Sequence, residues 1–168
     1  MRWIVVFLSG FLLTTGSVTT KPAPQKFDKA GFYEVMKSGD VAAVDNQITA
    51  LSDAPAKERE GYEGALLMKK AGLARRPKER LSLFKQGRIK LETALMADNE
   101  NTEFHFLRLA IEEHAPKIVK YRSDIEKDKA LVLNNFKNLS TAVQHAILDY
   151  CKNSKVLHAE DFSLRSKE

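Results

Sequence analysis

Apolar residues recur along this chain at intervals of three and four almost throughout, and strict alternation is sustained nowhere. Three-four spacing gathers side chains on one side of a helix, so the pattern predicts an all-α fold of about seven helices following a leader. No Asn-Gly or Asp-Gly pair stands between apolar runs to start a hairpin of strands.

The first expected helix spans 29–37, with Phe32, Val35 and Met36 inward, and Ser38-Gly39 ends it, glycine taking the left-handed conformation of a helix end. Asp40 is placed to cap the second, 41–51, by accepting a bond from its free amides. A third is expected over 55–71, opening on Pro55, where a missing amide hydrogen costs nothing, and closed by Gly72. Its middle, Gly61-Tyr62-Glu63-Gly64-Ala65, forfeits roughly 2 kcal/mol of helix propensity relative to alanine. Close approach of a neighbouring helix backbone to that small face would offset the loss. Pro77 opens a fourth helix reaching Ala97, with Leu81, Phe84, Leu91 and Leu95 as its buried stripe. Arg88 falls inside that stripe and is expected to mark a buried ion pair or a ligand contact, because a guanidinium there needs a partner or a route to water.

The fifth helix, 102–115, is apolar over more than half its circumference through Phe104, Phe106, Leu107, Leu109, Ala110 and Ile111, which predicts a central position. Arg108 and Glu112 lie one turn apart on it, the spacing of an ion pair. Pro116 ends it. A sixth is expected from a Ser123 cap to Phe136, with Ile125, Val132, Leu133 and Phe136 inward and Lys129 intruding on the seam. The seventh, capped by Ser140, shows Val143, Ala146, Ile147, Tyr150 and Cys151 on one face. Residues 154–168 are charged and short of large apolar side chains, which predicts a flexible tail.

The corner between the fourth and fifth helices carries Ala94-Leu95, then Asp98, then Asn101. This resembles the end of a tetratricopeptide repeat, in which an Ala-Leu pair precedes an Asp-Pro-x-Asn turn; here Asn99 replaces the proline. The likeness covers residues 62–115, with 62–72 and 81–97 as one helical pair and 104–115 opening another, and it lacks the repeat's Trp, Gly and Tyr positions. It implies stacked antiparallel hairpins in an αα-superhelix, with a protein or peptide bound in a groove between helix pairs. The residues also explain the corner unaided, since Asp98 and Asn101 are suited to bonding nearby amides. Asp98, Glu100 and Glu103 gather oxygens as a calcium loop does, but the glycine of its bend is missing and Leu109 stands where its glutamate belongs.

Composition adds compartment and surface to this picture. With 168 residues, 43% hydrophobic and 29% charged, the chain has the balance of one globular domain. Met1-Arg2-Trp3, the apolar run Ile4 to Leu13 and the small residues after it read as a signal peptide over 1–20. The run is half the roughly 20 residues that a bilayer span needs. A Pro-rich linker over 21–27 and a helical domain over 28–153 follow. The expected location is therefore outside the cytoplasm, periplasmic or secreted. Cys151, the sole cysteine, allows no intrachain disulfide, which suits a bacterial envelope.

Without residues 1–20 the chain holds 26 basic against 22 acidic residues, and nine of the basic ones fall between Lys69 and Lys90 with only Glu79 opposing them. Docking on anionic lipid or cell-wall polymer through Lys69, Lys70, Arg75, Arg76, Lys78 and Arg80 is thus a second expectation beside binding of an envelope protein or peptide. Nucleic acid is disfavoured, because Phe84 is the sole aromatic in the run and belongs to the buried stripe. No His-Glu-x-x-His, Gly-x-Ser-x-Gly, Cys-x-x-Cys or glycine-rich phosphate loop occurs, so no catalytic residue, metal or cofactor is expected. Arg88, Arg108 and Glu112, polar groups beside apolar faces, are the positions at which a ligand contact would form.

Overall fold

A computed structural model describes residues 27–164. The leader and residues 21–26 of the expected linker lie outside the described residues. Phe27, assigned to that linker, belongs to the core: it is buried against Phe32 and Tyr62. Among the described residues there are eight α-helices and no strand. They are α1 (Lys29–Lys37), α2 (Val41–Ala50), α3 (Arg59–Leu73), α4 (Pro77–Ala97), α5 (Thr102–His114), α6 (Ile125–Asn135), α7 (Thr141–Cys151) and α8 (Ala159–Leu164). None of them is long and apolar enough to cross a membrane.

Local chemistry sets most of the boundaries. Asp28 accepts a bond from the Gly31 amide at the start of α1, Asp40 from the Ala42 amide at the start of α2, and Asn101 from the Phe104 amide at the start of α5. The third helix begins at Arg59 rather than Pro55, because the Pro55 carbonyl closes a turn onto the amides of Glu58 and Arg59. The Arg59 guanidinium then donates to the carbonyls of Leu51, Ser52 and Ala54, fastening the end of α2 to the start of α3. Ser123 does not cap α6; Asp124 holds that position without a side-chain cap bond.

The α3–α4 pair packs most intimately, and glycine is the reason. A Cβ on Gly64 would lie 2.6 Å from the Leu91 nitrogen, and one on Gly87 would lie 2.6 Å from the Gly64 carbonyl oxygen. A Cβ on Gly61 would strike the Phe104 ring, so the same small face also admits α5. Helices α5 and α6 form the next pair, and α1 reaches back to α7 across an ion pair between Lys37 and Asp149.

Helix α5 is central, as its broad apolar arc requires. Phe104 meets Tyr62 edge-on at 5.4 Å, and Phe106 meets Tyr150 edge-on at 5.5 Å. The stripe on α4 differs from expectation: Phe84, Gly87, Leu91, Ala94 and Leu95 are buried, whereas Leu81 is 48% exposed. Rotation of α4 onto the Gly64–Gly87 contact carries Leu81 and Arg88 outward. The segment after Asn153 is also not loose through residue 164. Leu157 is fully buried, Ser154 donates to Glu113, and Lys129 holds Val156 and Asp161.

Candidate functional site

The strongest concentration of chemistry lies between α4, α5 and α6. Arg108 donates to both oxygens of Asp128, from Nε at 2.8 Å and from Nη2 at 2.7 Å, a bidentate pair on a fully buried carboxylate. Its Nη1 reaches Glu92 at 2.9 Å, and Asp124 lies 3.5 Å from Nη2. Burial alone disfavours the charged guanidinium, but the bond to Asp128 and the charges of Asp128, Glu92 and Asp124 outweigh it and raise the Arg108 pKa. The reciprocal holds for Asp128. Burial pushes its pKa up, while bonds from Arg108 and His105 pull it below the usual carboxylate range.

His105 completes the network. Its Nδ1 lies 2.6 Å from Asp128 and its Nε2 lies 2.9 Å from the Asn99 carbonyl. Both ring nitrogens thus face oxygen acceptors, which leaves neither with a lone pair turned to a substrate or a metal. The ring ties the Asp98–Asn101 corner to α6. Glu103, one of the corner carboxylates, is bonded to Lys29 at 2.5 Å and to the Tyr33 hydroxyl at 3.0 Å. Among the described residues no group of three His, Cys, Asp or Glu is placed to hold a metal ion.

Glu112 departs from its expected role. It is fully buried, Oε2 accepts the Asp124 amide at 3.1 Å, and Oε1 has no hydrogen-bond partner among the described residues. No ion pair joins it to Arg108, which turns instead to Asp128. Burial raises the Glu112 pKa to about 7, with the Asp124 and Asp128 charges adding and the Asp124 amide and Arg108 opposing.

Arg88 is also corrected. It is exposed and lies over the Tyr121 ring at 4.7 Å, a cation–π contact rather than a buried ion pair. Tyr121 packs edge-on against Phe84 at 5.7 Å and donates to Glu92, fixing the turn before α6 against α4.

The six expected surface cations separate into two groups. Lys70 is paired with Asp45 at 2.5 Å, Arg80 donates to the Ala74 carbonyl, and burial lowers the pKa of half-buried Lys69. Arg75, Arg76 and Lys78 are exposed and make no ion pair among the described residues, and Lys85 joins them. The sequence reading missed what lies between them. Leu81 at 48%, Ile89 at 66% and Met96 at 78% are among the most exposed large apolar side chains, and all three lie on α4. Their spacing of eight and seven residues was the available signal, since it keeps them on one side of the helix.

Two depressions flank α5. One, of about 430 Å³, is lined by Lys29, Glu58, Asn101, Glu103 and Asn138. The other, of about 300 Å³, is lined by Glu92, Met96, Asn99, His105 and Arg108. In the first Lys29 is paired with Glu58 and Glu103, and in the second Glu92, Arg108, His105 and the Asn99 carbonyl are bonded to one another. No protein-family model, curated protein or solved structure matches the chain.

Proposed function

We propose that this chain is an exported, non-catalytic helical module that docks on another component of the cell envelope. The observation that carries this reading is the outer side of α4, where Leu81, Ile89 and Met96 stand in solvent beside cations that make no ion pair among the described residues. The reading also draws support from the interior, where Arg108, Asp128 and His105 satisfy one another and form a joint between helices rather than a reactive group. The groove between helix pairs implied by the tetratricopeptide resemblance is a less favoured place for the contact, because the depressions beside α5 are lined mainly by polar residues.

The test is cosedimentation of the mature chain with envelopes of the source cell, comparing it with Ile89→Asp/Met96→Asp. Both substituted positions are exposed, so the variant is expected to fold with an unchanged circular dichroism spectrum and melting temperature. Retention of the native chain and loss of the variant supports docking through α4. Equal retention of both, or of neither, removes the proposal.

A further inference from the structure

On the outer side of α4, Lys78, Leu81, Lys85, Ile89 and Met96 fall within roughly 80° of arc at 100° per residue. Arg75 and Arg76 lie just before its first turn. We propose that this stripe is a peripheral contact for an anionic phospholipid bilayer, with the cations meeting lipid phosphates while Leu81 and Ile89 sink to the boundary of the acyl chains. The inference rests on the docking reading above and assigns the chemistry of the partner.

Charge is the first argument. Through the N-terminal half of α4 the only carboxylate is Glu79, which is about 100° around the axis from Lys78. The cations on the stripe itself are free of internal partners among the described residues, so they are available to phosphate. Toward the other end, Glu92 falls inside the same arc, held by Arg108 and Tyr121, and Asp98 and Glu100 are exposed just after the helix, which tilts the contact toward Arg75–Ile89.

Shape is the second. Leu81 and Ile89 are separated by about 12 Å along the axis, with Lys85 between them, on the convex surface of a single helix. A stable protein partner needs about 800 Å² of contiguous surface on each side. Isolated apolar side chains alternating with lysines suit a lipid interface, where each finds its own depth. Rigidity favours it too. The inner side of α4 is locked by the Gly64–Gly87 contact, so the stripe is already formed before contact.

A neighbouring turn adds to the surface. Ile118, 88% exposed, stands between the exposed side chains of Lys117 and Lys120. Tyr121, one residue beyond Lys120, joins that turn to α4 through Phe84 and Arg88.

The experiment is cosedimentation of the mature chain with vesicles of phosphatidylcholine alone or of phosphatidylcholine and phosphatidylglycerol in equal parts. Lys78→Glu/Lys85→Glu and Leu81→Asp/Ile89→Asp are run alongside, with circular dichroism to show that each is folded. The native chain is expected to sediment with the anionic vesicles only, and the charge variant to lose about tenfold or more in affinity. The apolar variant is expected to lose binding at low salt as well, where screening is weak. A native chain that stays in solution with anionic vesicles overturns the lipid assignment. If such a chain still binds envelopes through α4, docking stands with an envelope component other than lipid; if it binds neither, both readings fall. Vesicle binding unaltered by either variant also overturns the proposal, because the contact then lies elsewhere.

Discussion

Gly64 and Gly87 face one another across the α3–α4 contact, and a Cβ on either would lie within 2.7 Å of the other's carbonyl oxygen. This contact sets the rotation of α4, and with it which side chains α4 turns to solvent. Gly64→Ala or Gly87→Ala must push the helices apart and is expected to destabilise the fold by about 1–3 kcal/mol. Gly72→Ala is the control, since a Cβ there meets nothing within 4 Å. It is expected to be neutral or slightly stabilising in urea unfolding.

Arg108 is worth more to the fold than its place on α5 suggests. Arg108→Met leaves Asp128 buried without its bidentate partner and is expected to cost about 3–5 kcal/mol, read by urea unfolding. Adding Asp128→Leu removes the stranded charge and is expected to recover part of that loss. A double variant less stable than the single one would contradict the pairing.

Glu112 gives stability a pH dependence of definite sign. Its pKa is raised from 4.5 to about 7, chiefly by burial, with Asp124 and Asp128 adding and Arg108 opposing; Tyr121 is the other titratable group beside it. The folded chain therefore holds this proton more tightly than the unfolded chain. The stability that it contributes is complete below the unfolded value near 4.5 and is lost as pH rises through about 7. The difference is on the order of 3 kcal/mol. Asp128, with its lowered pKa, acts in a separate window, losing its contribution only as pH falls through the acid range. Urea unfolding across mildly acidic to mildly alkaline pH is expected to show stability declining, and Glu112→Gln is expected to flatten that decline.

The segment after Asn153 is part of the fold through two apolar contacts and a carboxylate clasp, Phe162 packing on Phe136 at 4.4 Å between ring centroids. Leu157 is fully buried, and Glu113 accepts from Tyr150, Ser154 and the Lys155 amide. Leu157→Ala is expected to cost about 2–5 kcal/mol in thermal or urea unfolding. A loss below about 0.5 kcal/mol would mean that the segment is held loosely.

Helix identity was legible where local rules dominate. The caps Asp40 and Asn101, the small face of α3 and the central place of α5 follow from spacing and side-chain type alone. Long-range pairing was not. Arg108 offered an obvious partner one turn away in Glu112, yet the folded chain brings it Asp128 from twenty residues on. Asp128 lies between Ile125 and Val132 at spacings of three and four, on the very seam that the sequence assigned to the core, and that was a readable sign of a buried carboxylate. Leu81 and Arg88 were misplaced together, because a stripe drawn from Leu81 ignores the glycine contact that rotates α4. Leu157, one of few apolar residues in a charged segment, carried too little periodicity to reveal its docking.

The outer side of α4 is tested most directly by a nitroxide label at Ile89→Cys, with a second label at Asn46→Cys, on exposed α2, as control. Cys151 is buried with its thiol pKa pushed up to about 11, which keeps it poorly reactive, and Cys151→Ser removes it altogether. On addition of envelopes, the spectrum from position 89 is expected to broaden to that of an immobilised label while the spectrum from position 46 stays sharp. A label at 89 that remains as mobile as the control, with the protein demonstrably bound, would contradict docking through α4.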